Sequence, residues 1–237
     1  MNRSKLPLTS VPRMAKSFSE RLRPGLRFCN DLESFQVAGA NLCLVTSYCE
    51  IRADYDRESI VVYQAYSPAI AEAALRAGRF VPPWSTNRMT WIKPSFLWMM
   101  ERANWGRKAG QEYILAVRLH RWAWEKALGL AVLTHPESDA DLWREELELS
   151  PVRVQWDPER SLEGGKLEHR SIQVGVARKL AEEYASQWII SLTDITPLVK
   201  RIRQFRDEGA KDRARKLLPQ ERVYPVSPEL ANRLRMK

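Results

Sequence analysis

Lys93 is the residue on which chemistry would turn in the segment RMTWIKPSFLWMMERANWG, residues 88–106. It stands between an apolar run ending at Ile92 and a helix start at Pro94-Ser95. The free backbone N–H groups of a helix start favour anions, and a lysine beside them adds a cation that can hold a phosphate or pyrophosphate. The competing reading is a lysine whose stem lies on apolar surface while its ammonium stays in water. Thr90 and Ser95 put hydroxyls on either side. Trp84, Trp91, Trp98 and Trp105 recur at seven-residue intervals. They read either as heavy core side chains or, for Trp91 or Trp98, as a stacking surface for a flat ring.

Two further polar groups sit within patterned apolar surroundings. In IRADYD (51–56), Arg52, Asp54 and Asp56 alternate, so an extended chain places them on one face. They form a surface ion pair, or Arg52 reaches a ligand phosphate. In RSIQVGV (170–176), Gln173 lies inside an apolar strand, where an amide must find partners. It can line a cleft and fix a sugar hydroxyl or an amide.

Several chemistries are excluded by what the chain lacks. It has no P-loop, no Rossmann glycine pattern, no HExxH, no GxSxG and no kinase signature. Ten glycines in 237 residues leave little scope for a glycine-rich phosphate cradle. His120, His135 and His169 match no nucleophile–base arrangement. Cys29, Cys43 and Cys49 are odd in number and contain no CxxC, which argues against a disulfide framework or a zinc site and for a reducing, cytoplasmic setting.

These residues need elements to position them. ESIVVYQAY (58–66) reads as a strand, Ser67-Pro68 opens a short helix, and Gly78 closes it. MTWI (89–92) is a short strand, and Lys93-Pro94-Ser95 opens a helix to about Ala103, apolar nearly all round and therefore buried. In that helix Trp98 and Arg102 share a face one turn apart. YILAVRLH (113–120) is a strand and RWAWEKALGLA a short helix. Residues 136–149 form an acidic helix capped by Ser138 or Asp139. PVRVQWD (151–157) and RSIQVGV are strands about a Glu163–Lys166 turn, followed by a helix, a last strand at 188–196 and a basic helical stretch. This mixture lacks strict strand–helix alternation and predicts an α+β domain, with a mainly antiparallel sheet and flanking helices.

The net charge is +9, and it lives at the ends. Residues 1–48 hold 7 Lys/Arg against 3 Asp/Glu (+4), residues 200–237 hold 12 against 5 (+7), and residues 49–199 hold 19 against 21 (−2). The predicted organisation is a poorly patterned, disordered basic leader (1–48), one α+β domain (49–199) and a basic helical tail (200–237). The tail is the place for a nucleic-acid partner, bound through phosphate contacts. No run approaches the roughly 18 apolar residues that span a bilayer, so no membrane partner is expected.

IRADYD, YQAY, MTWIKPSFLWMM, SPVRVQWDPER and RSIQVG together resemble a domain-of-unknown-function family of bacteria and fungi, over about residues 50–200. That resemblance implies no particular reaction. The order of parts also resembles, more distantly, the ADP-ribosyltransferase superfamily, which implies a pocket for NAD. By position Gln64 matches its first-strand polar residue, Thr90 or Ser95 its second-strand hydroxyl, and Gln173 its late-strand carboxylate. A glutamine cannot act as that carboxylate. On this reading Lys93 and Gln173 are the catalytic candidates. Arg52, Gln64, Thr90, Trp91, Ser95 and Trp98 bind the cofactor, with Lys93 and Arg52 on the pyrophosphate. The other readings are an RNA- or DNA-binding protein using the tail, and a non-catalytic interaction domain.

Overall fold

The computed structural model describes residues 48–135, 140–177 and 179–236. In chain order its elements are β1 (Arg52–Ala53), β2 (Ser59–Tyr66), α1 (Pro68–Ala77), β3 (Thr90–Ile92), α2 (Phe96–Arg102), β4 (Tyr113–His120), α3 (Arg121–Gly129), β5 (Ala131–Leu133) and α4 (Ala140–Leu149). There follow β6 (Val152–Arg160), β7 (Lys166–Val176), α5 (Lys179–Glu183) with a π-helical turn at Tyr184–Trp188, β8 (Ile189–Asp194), α6 (Thr196–Asp207), α7 (Lys211–Arg215), β9 (Arg222–Val223) and α8 (Pro228–Arg233). Residues 1–47, with the expected leader, Cys29 and Cys43, lie outside the described residues, as do Ser138 and Asp139.

The strands make two principal sheets, ordered β2-β4-β8 and β3-β7-β6-β5. Every pairing is antiparallel except the parallel β5–β6 pair. The α+β expectation therefore holds. One bridge joins the sheets: the Tyr63 N–H donates to the Lys93 carbonyl at 2.7 Å. Lys93 thus stands at the seam, where β3 ends against β2.

Period-two alternation explains the two cores. Ile60 and Val62 point from β2 to one side, joining Leu115, Val117 and Leu119 of β4 and Val152, Val154, Ile172 and Val174 of the second sheet. Trp124 of α3 and Trp188 are fully buried in this core. Val61 and Tyr63 point to the other side and meet Phe96, Met99 and Met100 of α2 with Val199, Ile202 and Phe205 of α6. Each fully buried side chain of this size contributes about 1.5–3 kcal/mol relative to exposure.

Residues 200–237 are not a separate tail. The expected boundary falls inside α6, whose Val199, Ile202 and Phe205 recur every three residues and are buried. Gly209, at φ 76°, breaks the stretch before α7. Beyond it β9 pairs with β1, Tyr224 and Leu234 enter the first core, and the Trp156 Nε1–H donates to the Leu234 carbonyl at 3.0 Å. Several of the segment's cations are engaged within the fold. Arg203 donates to the Trp105 carbonyl at 3.0 Å, and Arg206 lies 4.5 Å from the Trp105 ring centroid. Arg213 lies 4.1 Å from the Phe205 ring centroid, and Lys211 and Arg215 both pair with Glu163 at 3.5 Å. Among the described residues, no helix is long and apolar enough to cross a membrane.

Candidate functional site

A cavity of about 910 Å³ opens beside the seam between the sheets. Its floor comes from β6 and β7, where Gln155 pairs with Gln173 in register and Asp157 with Ser171. The alternation that sends Val154 and Val174 into the core turns Gln155, Asp157 and Gln173 to the opposite face. One wall is α2, whose Trp98, Met99 and Arg102 line the cavity. The other is β3 and the loop before it, with Trp84, Arg88, Met89, Thr90 and Trp91.

Lys93 lies at the bottom. It is 6% exposed, its ammonium sits 5.4 Å from the centre of the Trp98 ring, and it donates one long hydrogen bond, 3.3 Å, to the Trp91 carbonyl. It forms no ion pair among the described residues. Burial pushes its pKa down to about 7, the like charge of Arg102 adds to that, and Asp157 opposes it. Lys93, Arg88 and Arg102 thus line the cavity with a single acid, Asp157, among the described residues.

The polar groups are of two kinds. Gln64 is buried and its amide is consumed: Nε2 donates to Thr90 Oγ1 at 2.8 Å and to the Trp91 carbonyl at 3.2 Å, while Oε1 accepts from the Tyr184 hydroxyl. Tyr66 approaches Thr90 Oγ1 at 3.3 Å, and Trp84 Nε1–H donates to Tyr66 at 3.1 Å. This chain ties β2, β3 and the π-helical turn together along the cavity wall. The second kind faces the cavity. Asp157 accepts from Gln155 Nε2 on one oxygen at 2.9 Å and from Gln173 Nε2 on the other at 2.7 Å.

The structure brings together six of the eight residues singled out from the sequence: Gln64, Thr90, Trp91, Lys93, Trp98 and Gln173 all line the cavity. Arg52 and Ser95 do not join them. Arg52 pairs with Glu50, two residues back and in phase along the chain, while Asp54 and Asp56 approach Arg118 instead. Ser95 is 1% exposed and caps α2, its hydroxyl accepting from the Trp98 N–H at 3.2 Å. Both side chains are satisfied locally before a ligand could claim them.

Asp157, Gln155, Arg88 and Arg102 also line the cavity and were not singled out. The signal for the first two was present. Arg153, Gln155 and Asp157 alternate with Val152, Val154 and Trp156, the same pattern that exposed Gln173. Among the described residues, no group of three His, Cys, Asp or Glu side chains is placed to hold a metal ion.

An α+β protein with a cationic, tryptophan-lined cavity is the class that fold and site define. The chain belongs to the family described as a domain of unknown function (DUF4291), matched over residues 50–224. The matched region runs through α6 and α7 into the β9 segment, past the boundary expected at residue 199. No curated protein matches the chain. The family description carries no reaction and lends no support to the likeness with ADP-ribosyltransferases.

Proposed function

We propose that the cavity binds a phosphate-bearing nucleotide of the NAD type, and that the chain is a transferase acting on it. One observation carries this reading. Lys93 is buried without an ion-pair partner, beside Arg102 and against Trp98, on the floor of a cavity of about 910 Å³. That volume is at the upper end of the roughly 300–1,000 Å³ usual for small-molecule sites. A pyrophosphate would satisfy Lys93 with Arg102 and Arg88, which take the part first expected of Arg52. Trp91 or Trp98 offers a face for a base or nicotinamide ring. Gln173 stands beside the one carboxylate, Asp157, and orients it instead of replacing it. Several cations of residues 200–237, namely Arg203, Arg206, Lys211, Arg213 and Arg215, are engaged with Trp105, Phe205 and Glu163. The cavity therefore carries more of the ligand argument than that segment does, and the nucleic-acid reading is the weaker one.

Titration of the whole protein with NAD, followed by tryptophan fluorescence and calorimetry, tests the proposal. Saturable binding, weakened at least about tenfold in Lys93→Ala, is the expected result, a loss in line with removing a charge-assisted contact. Release of nicotinamide, measured by chromatography, reports turnover. If NAD, ADP-ribose and pyrophosphate all fail to bind the folded protein, the reading is wrong.

A further inference from the structure

We infer that Asp157, held by Gln155 and Gln173, reads the vicinal hydroxyls of a ribose, so that the cavity takes ribonucleotides in preference to 2′-deoxyribonucleotides. This rests on the nucleotide reading above and specifies its sugar.

The argument starts from the capacity of a carboxylate. Each oxygen of Asp157 accepts one amide hydrogen bond, at 2.9 Å from Gln155 and 2.7 Å from Gln173. An ionised carboxylate has about four acceptor sites, so each oxygen keeps capacity for one more donor. The two amides come from neighbouring strands in direct register, so they grip the carboxylate from both sides of the β6–β7 ladder. A side chain fixed in this way presents its remaining lone pairs in one orientation and loses little freedom when a ligand arrives.

The kind of donor follows from the charges around it. Asp157 is the only acid among the described residues lining the cavity, against Lys93, Arg88 and Arg102. A cationic ligand group would meet three cations to reach one carboxylate. A neutral pair of donors meets no such barrier, and a vicinal diol offers two hydroxyl hydrogens to the two oxygens. The location points to the sugar. Lys93, Arg102 and Asp157 line the same cavity, and the charges of Arg102 and Asp157 both act on the Lys93 amine, so the proposed phosphate contacts and the carboxylate share one cavity. In a nucleotide the sugar is the part bonded next to the phosphate.

The experiment compares ADP, 2′-deoxy-ADP and pyrophosphate by calorimetry on the full-length wild type and on Asp157→Asn. Wild type is expected to bind ADP about tenfold more tightly than 2′-deoxy-ADP, the loss of one hydrogen bond to a charged group. Asp157→Asn is expected to bring that ratio to about one to twofold while pyrophosphate binding is kept, which also shows that the variant is folded. Equal affinity of wild type for the two nucleotides overturns the inference and leaves the nucleotide reading standing; the wild-type comparison decides this even if the variant does not fold. A preference that survives in Asp157→Asn removes Asp157 from the role. Absence of binding by all three probes overturns the nucleotide reading and this inference with it.

Discussion

Trp91 and Gly175 face each other across the β3–β7 register, and Met89 Sδ, with the edge of the Trp91 indole beside it, takes the space a side chain at 175 would need. A Cβ built on Gly175 would come to 3.1 Å from Cη2 of Trp91 and would collide with Sδ of Met89. The glycine serves a close approach here, since it gives the cavity wall its seat on the sheet.

Gly175→Ala should therefore displace Met89 and Trp91. Overpacking of this kind costs about 1–3 kcal/mol. Urea unfolding checks the cost, and a shift in tryptophan emission checks the displacement. An unchanged midpoint together with an unchanged spectrum would refute the assignment of Gly175 as the seat of the wall.

Lys93→Met should stabilise the protein, and more so at low pH. The folded pKa of about 7 lies below the ordinary lysine value of 10.5. Below pH 7 both folded and unfolded chains carry the proton, and the folded chain bears the full cost of a buried charge. Between 7 and 10.5 the folded amine is neutral while the unfolded one is still protonated, so wild-type stability recovers as pH rises. The gain in Lys93→Met is expected to reach on the order of 1–4 kcal/mol at pH 6 and to fade towards pH 10. Denaturant unfolding at the two pH values measures it. A destabilised variant at pH 6 would mean that the ammonium is satisfied within the fold.

Glu221 should show the opposite sense. It reaches from the segment before β9 to the Phe96 N–H at the start of α2. Burial pushes its pKa up to about 8; the Phe96 hydrogen bond opposes this, and Glu159 and Asp54 add to it. Its folded pKa is thus above its ordinary value of 4.5, so its contribution is fully present below 4.5 and is lost as pH climbs through 8. Glu221→Gln keeps an oxygen for Phe96 and cannot ionise. It should match wild type near pH 4 and exceed it in stability at pH 9, whereas Glu221→Ala, which leaves the Phe96 N–H without its acceptor, should be weaker than wild type near pH 4. Equal pH profiles for wild type and Glu221→Gln would show that the carboxyl does not titrate in a buried setting.

Ser95→Ala separates a cap from a ligand contact. Loss of the N-cap should cost about 0.5–2 kcal/mol in thermal or urea unfolding. NAD affinity should stay within about twofold, since the hydroxyl is turned to the Trp98 N–H. Arg52→Ala should leave affinity equally untouched. A tenfold loss in either variant would return that residue to the site.

Local pattern alone determined many of the elements, though not the short strands β1, β5 and β9 or helix α8. The β-branched run ending in Gln64-Ala65-Tyr66, the Ser67-Pro68 start with its Gly78 stop, and Ser95 before α2 were all legible, because caps and period-two alternation act over a few residues. It also marked Lys93, Trp98 and Gln173 as polar or heavy groups at unusual places. What it left undecided was which polar side chain answers which. Glu50 claims Arg52, Tyr184 claims Gln64 from 120 residues away, and Asp157 meets Gln173 across a strand pair. The basic stretch after residue 199 showed the same gap. Its charges suggested a basic helical tail beyond the domain, while Val199, Ile202 and Phe205 at helical spacing bind it into the second core. Such pairings depend on distances set by the whole fold, and burial then decides whether a charge is a solvated ornament or, as at Lys93, a desolvated group.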